Sequence, residues 1–184
     1  MQVIETGIKD LVEIIPSVFH DSRGWFFEFY KDQVYRQKGI ACQFRQDNIS
    51  YSRKGVVRGL HFQLPPNDQA KLVSVLSGKV LDVVVDLRKG SPTFGKVHRC
   101  ILDSEKHNLL MVPEGFAHGF ASLEDSLFIY KTSSLYHKES ECGIRWDDPT
   151  LNISWLVADP VLSDKDRQLP TFDELLRKSL ISRD

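Results

Sequence analysis

Along most of this chain, apolar and polar residues alternate in short runs separated by turn-forming residues. Alternation with a period of two predicts strands that bury one face. The clearest unit covers 71–76, the pair Ser77-Gly78, and 79–88: two β-rich runs joined by two residues, one of them glycine. That arrangement predicts a β-hairpin. With Leu76 opposite Lys79, Lys71, Val73 and Val75 share a face with Val80, Asp82 and Val84. Lys71 then opposes Val84 and lies diagonal to Asp82. A lysine and an aspartate among valines mark the lining of a cavity better than open solvent. Further strands are predicted over 25–29, 43–52, 56–63, 96–102, 109–112, 116–123, 127–135 and 153–156. Helices are predicted over 31–38, stopped by Gly39, and over 172–180, where Thr171 and Glu174 are spaced as a capping box. Many short strands with helix only near the ends predict a mostly β sandwich or jelly-roll barrel.

Composition narrows the class. The 184 residues are 41% hydrophobic and 27% charged, and no Pro-, Gly- or Ser-rich linker divides them, so one soluble globular domain over 1–184 is expected. The longest apolar run, around 80–87, contains Asp82 and Asp86 and is too short to span a bilayer. The first five residues lack the basic segment and apolar core of a signal peptide. Cys42, Cys100 and Cys142 are an odd, widely spaced set without a Cys-x-x-Cys pair, which argues against disulfides and zinc knuckles and for a reducing cytoplasm. A net charge of −1 gives no reason to expect nucleic acid, and phosphate binding must come from a few local cations.

The polar residues cluster. FRQDNISYS (44–52) is followed by a strand whose alternation places Val57, Gly59, His61 and Gln63 on one face. PEGFAHGF (113–120) carries His118, FIYKTSSLY (128–136) carries Tyr130 and Tyr136 with the same parity, and LSDKD (162–166) carries Asp166. His20, His98, His107 and His137 fit structural or surface roles. His61 and His118 each lie between glycines and aromatics, where backbone can approach a ligand. Gly55, five residues, His61 to Gln63, then five residues to Gln69 track the first motif of the cupin fold; Pro113 to Gly115, two residues, then His118 track the second. A metal-binding cupin has histidine where Gln63 stands and a carboxylate near Gln69. Neutral amides are poor ligands for first-row transition metals, so no metal is expected. What remains is a base (His61), an ammonium (Lys71), two phenols and a carboxylate (Asp166). That set suits proton abstraction beside a carbonyl and reprotonation from the opposite face. Acyl transfer lacks a Ser or Cys nucleophile beside a histidine, and phosphoryl transfer lacks a P-loop.

The chain resembles the dTDP-4-dehydrorhamnose 3,5-epimerase family along essentially its full length. The matching segments are FHDSRGWFFE (19–28), QDNIS (46–50), GVVRGLHFQ (55–63), KLV (71–73), DVVVDLR (82–88), SPTFG (91–95), PEGFAHGF (113–120) and LSDKD (162–166). The resemblance implies a double-stranded β-helix of the cupin type, forming a homodimer without metal or organic cofactor, that acts on a 4-keto-6-deoxy sugar attached to dTDP. Carried over, His61 is the base, Asp166 its orienting partner, Tyr130 the acid on the opposite face, and Lys71 the group that stabilises the enolate. His118 lines the same pocket, with Tyr136 on its wall. Arg23, Phe26, Glu28, Gln46, Asn48 and Arg58 match positions that bind nucleotide and sugar, part of that set coming from the partner subunit. The alternatives are a mono-epimerase, an epimerase of another nucleotide-linked 4-keto sugar such as a GDP-heptose, and a non-catalytic sugar-nucleotide-binding cupin. Retention of the acid–base set argues against the last.

Overall fold

Two antiparallel sheets face one another in the computed structural model, which describes residues 1–183. The six-stranded sheet runs β1 (Gln2–Glu5), β2 (Val12–Ile15), β10 (Leu109–Val112), β7 (Lys71–Ser77), β12 (Ser126–Thr132) and β5 (Gln46–Ser52). The five-stranded sheet runs β13 (Glu141–Gly143), β6 (Val57–Gln63), β11 (Phe116–Ser122), β8 (Lys79–Asp86) and β9 (Val97–Asp103). A separate hairpin joins β3 (Phe19–Asp21) to β4 (Gly24–Phe26), and the helices are α1 (Asp32–Gln37), α2 (Asp164–Arg167) and α3 (Phe172–Arg177). This is the mostly β, cupin-type jelly roll that the pattern and the resemblance lead one to expect.

The predicted hairpin at 71–88 is not one. β7 pairs with β10 and β12, whereas β8 pairs with β11 and β9, so Ser77-Gly78 is the corner where the chain leaves one sheet for the other. Gly78 takes φ +79, and a Cβ there would run into the Asp125 carbonyl, so only glycine suits the corner. The predicted shared face nevertheless holds. Val73, Val75, Val80 and Val84 meet in the core between the sheets, together with Leu110, Val112, Phe120 and Phe128. Alternation sets which side chains point inward; it does not say whether two inward faces lie side by side or stack across a core.

Both sheets are also covered outside. Leu60, Phe62, Leu81, Val83 and Val85 pack beneath Ile144, Trp155, Phe172 and Leu175. Val12, Ile14, Leu72, Leu109 and Met111 pack against Tyr35 of α1. Burial on two faces is why β8 reads as a nearly continuous apolar run. Asp86, fully buried at its end, accepts hydrogen bonds from Arg88, Ser91 and Thr93. Burial alone would raise its carboxyl, but those donors outweigh it and hold the group at about 2. The SPTFG run therefore closes the β8–β9 connection rather than a site.

Other boundaries move for local reasons. Strand ends at β4 by Phe26 rather than continuing to residue 29, and 153–156 forms no strand, though Trp155 is buried and its Nε1 donates to the Trp146 carbonyl at 2.6 Å. The predicted 43–52 and 127–135 shorten to β5 and β12. α1 stops before Gly39 at φ +83, as expected. α3 has both hydrogen bonds of the capping box but ends at Arg177, ahead of Ser179 at φ +54. β1, β2, β3, β13 and α2 carry no pattern long enough to have been predicted.

Candidate active site

The site begins with an irregularity in β6. His118 pairs with His61 and Phe120 with Arg58, so Gly59 and Leu60 together oppose the single residue Gly119. This is a β-bulge, and it slips the alternation by one. Arg58 and His61 turn into the cavity, while Val57, Leu60 and Phe62 turn to the outer core. The predicted face shared by Val57, Gly59 and His61 is thus corrected: Val57 is on the other side. The bulge depends on two glycines. A Cβ on Gly59 would lie 2.6 Å from Gly119 Cα, and one on Gly119 would lie 2.6 Å from the Arg58 carbonyl. Close backbone approach explains the glycines beside each histidine.

A cavity of about 270 Å³ opens between the sheets. Arg58, His61 and His118 line it from the five-stranded sheet, Lys71 and Tyr130 from the six-stranded sheet, and Asp166 from α2. The two facing sheets therefore bring the His61 imidazole and the Tyr130 phenol to opposite walls. Ser163 caps α2 by accepting from the Asp166 N–H at 3.1 Å, which places the buried Asp166 with Oδ1 2.6 Å from His61 Nε2. Burial alone would raise this carboxyl, but the hydrogen bonds from His61 and the Gly59 N–H hold it below the usual range. An ionised Asp166 accepts from Nε2–H, which leaves Nδ1 as the basic nitrogen. His118 Nε2 lies 2.8 Å from Oδ2 of the fully buried Asp82.

Lys71 is buried, with Nζ 3.5 Å from the His61 carbonyl. Burial lowers its ammonium to about 8, against the opposing pull of Asp82 and Glu141. The unfolded chain therefore holds this proton more tightly between about pH 8 and the ordinary lysine value, and stability contributed by Lys71 rises with pH across that window. Below pH 8, keeping the buried charge costs roughly 3 kcal/mol. Lys71→Met is accordingly expected to raise the melting temperature at pH 7 while lowering kcat. The wild-type rate should fall above pH 8 as the ammonium is lost, and the variant should lack that limb. A variant no more stable than wild type at pH 7 would contradict the buried charge. Burial also raises the Tyr130 phenol, with Arg58 opposing, so Tyr130 keeps its proton at neutral pH.

The remaining expected residues divide into two groups. Asn48 pairs with Tyr130 across β5 and β12, and Gln46 Nε2 donates to Asn48 Oδ1 at 2.8 Å. Tyr136 joins them, its N–H donating to Gln46 and its hydroxyl to Glu141 at 2.7 Å, but Gln46, Asn48 and Tyr136 do not themselves line the cavity. Arg58 donates to Ser52 Oγ and the Tyr51 carbonyl. Arg23, Phe26 and Glu28 are not brought to this cavity. Arg23 pairs with Asp21 at 2.6 Å, Phe26 is 64% exposed, and Glu28 pairs with Lys31. Sequence reading missed Ser50, Glu141 and Lys165. Ser50 shares the parity of Gln46 and Asn48, a signal that was available; Glu141 sits on a three-residue strand with none.

Both amides at the cupin ligand positions are committed elsewhere. Gln63 donates to the Asn67 and Leu135 carbonyls and accepts from the His137 N–H at 2.7 Å, and Gln69 donates to the Ser134 carbonyl at 2.8 Å. These bonds tie the turn after β6 to the segment after β12. A larger cavity of about 810 Å³ lies outside the six-stranded sheet, near Glu5, Lys38 and Arg45, and no histidine lines it.

Comparison with known proteins identifies the family. A model of the dTDP-4-dehydrorhamnose 3,5-epimerase family matches residues 5–174. The dTDP-4-dehydrorhamnose 3,5-epimerase of Shigella flexneri is 50% identical over 168 residues, 90% of this chain and 93% of that one. The crystal structure of dTDP-6-deoxy-D-glucose-3,5-epimerase from Legionella pneumophila, in complex with dTDP-4-keto-L-rhamnose, is 44% identical and superposes with a TM-score of 0.93 over 100% of this chain and 98% of its own. The rmlC epimerase of Mycobacterium tuberculosis is 42% identical, with a TM-score of 0.94 over 100% of this chain and 94% of its own. Two sheets that set an aspartate-held histidine against a phenol, in a chain this close to known epimerases, place the protein in the dTDP-4-dehydrorhamnose 3,5-epimerase family.

Proposed function

We propose that the chain inverts C3 and C5 of dTDP-4-dehydro-6-deoxy-D-glucose, giving dTDP-4-dehydro-L-rhamnose, with His61 as base and Tyr130 as acid. The observation that carries the assignment is the placement of the His61–Asp166 pair and Tyr130 on opposite sheets, with Lys71 buried beside them. The C4 ketone acidifies the protons on its neighbouring carbons. His61 Nδ1 removes one, and the electron pair moves to the C4 oxygen as an enolate. The Lys71 ammonium stabilises that oxygen. The Tyr130 hydroxyl returns a proton to carbon from the other face; the tyrosinate then takes a proton from solvent and the His61 imidazolium releases one, which resets both groups. Repetition at the second carbon completes the double inversion.

The diphosphate calls for cations, and Arg58 lies at the cavity. The hairpin of β3 and β4 exposes Phe19, Trp25 and Phe26 to solvent and pairs with neither main sheet. These exposed aromatic side chains favour a homodimer in which each copy's hairpin segment brings Arg23, Phe26 and Glu28 to the other copy's cavity. Free Cys42, Cys100 and Cys142 suit a reducing cytoplasm, and among the described residues no helix is long and apolar enough to cross a membrane.

Incubation with dTDP-4-dehydro-6-deoxy-D-glucose in heavy water, followed by NMR, is expected to place deuterium at both C3 and C5. Label at one centre alone would reduce the assignment to a mono-epimerase. No label would point to another sugar nucleotide.

A further inference from the structure

The sandwich interior holds a second group of chemically capable side chains, away from the epimerisation cavity. Val12 and Ile14 of β2 face the outer core, so Glu13 between them turns inward. From the facing sheet, β9 turns His98 and Cys100 inward beside Val84 and Asp82. One ligand atom from each of Glu13, His98 and Cys100 lies within 4.8 Å of the other two. Glu13 Oε1 stands 3.6 Å from His98 Nε2, beyond hydrogen-bonding reach but suited to two atoms bound to one ion.

Two buried polar atoms of this region lack hydrogen-bond partners among the described residues: His98 Nε2 and Asp82 Oδ1. Unpaired buried polar atoms are rare and call for an occupant. Glu13 and His98 remain partly exposed, which leaves a route for an ion, while Cys100 is buried behind them.

We propose that Glu13, His98 and Cys100 bind a divalent transition-metal ion of the zinc class, joining β2 of one sheet to β9 of the other. Sulfur, imidazole and carboxylate form a ligand set that such ions favour over calcium or magnesium. Binding forms a metal–thiolate bond and releases the Cys100 proton to solvent, so affinity rises with pH. The positive charge also faces Asp82, whose other oxygen bonds His118. The ion touches no atom of the epimerisation cavity, and its role is to clamp the two sheets together.

Cobalt is the probe. Protein freed of metal by a chelator and dialysed is expected to take up one Co²⁺ per chain with a thiolate-to-cobalt charge-transfer band in the near ultraviolet, and Zn²⁺ should abolish the band by displacement. Cys100→Ser should remove the band and Cys42→Ser should keep it. Glu13→Gln, at a partly exposed position, guards against misfolding of the cysteine variant. It should retain the band but need roughly tenfold more cobalt for half-saturation. Zn²⁺ should raise the melting temperature of the wild type and not of Cys100→Ser. Absence of the band in folded wild type, its survival in folded Cys100→Ser, or unchanged affinity in Glu13→Gln overturns the site.

Discussion

Replacement of His61 by alanine is expected to abolish deuterium exchange at both C3 and C5, with turnover lower by roughly 10²–10⁴-fold. Both carbons flank one ketone, so a single imidazole suffices for both, and its loss should strike the two centres together. No neighbour is placed to substitute. Asp166 is held below the usual carboxyl range and is a weak base, and His118 is engaged by Asp82 at 2.8 Å. The fold should persist, because Leu60 and Phe62 on either side of His61 pack in the outer core. Asp166 would lose one partner while keeping the Gly59 N–H, a loss of about 1–2 kcal/mol. Circular dichroism separates the two effects. A folded His61→Ala protein that still exchanges either centre would falsify the base assignment.

Tyr130→Phe should act differently, because it removes the acid and leaves the base. The ring is retained near Phe128, at a centroid separation of 6.0 Å, so packing changes little. Proton abstraction by His61 continues, and the enolate can take a solvent-derived proton back from the same face. Recovered substrate should therefore gain deuterium without inversion, while inverted product forms roughly 10²-fold or more slowly. NMR of the recovered sugar nucleotide distinguishes exchange from inversion directly. Unchanged product formation would remove Tyr130 from the mechanism, and equal loss of exchange and inversion would make it part of the base machinery instead.

Much of the fold and the core of the site were legible along the chain, and the failures have a common cause. Period-two alternation identified the inward residues of β7 and β8, from Lys71 to Asp82, even though the pairing drawn from it was wrong. A glycine-containing pair of residues between two strands fits a hairpin and a sheet-to-sheet corner equally; the partners that decide, β10, β11 and β12, come much later in the chain. The motif around His61 marked the histidine that lines the cavity, yet strict alternation put Val57 beside it. The bulge that turns Arg58 inward arises from the close approach of Gly59 and Gly119, which belong to different strands.

By itself, then, the sequence determined the residue chemistry: an imidazole, an ammonium, a phenol and a carboxylate on inward-facing positions, and amides where a metal cupin needs ligands. It determined the capping box at Thr171 and the stop at Gly39 as well, because these interactions span only a few residues. Tertiary structure alone decided that His61 and Tyr130 occupy opposite walls, that Asp166 meets His61 at 2.6 Å, and that Arg23, Phe26 and Glu28 lie off the cavity of their own chain. The physical reason is range. Alternation and capping are set between neighbours in sequence, whereas which strand packs against which is settled by burial summed over both sheets.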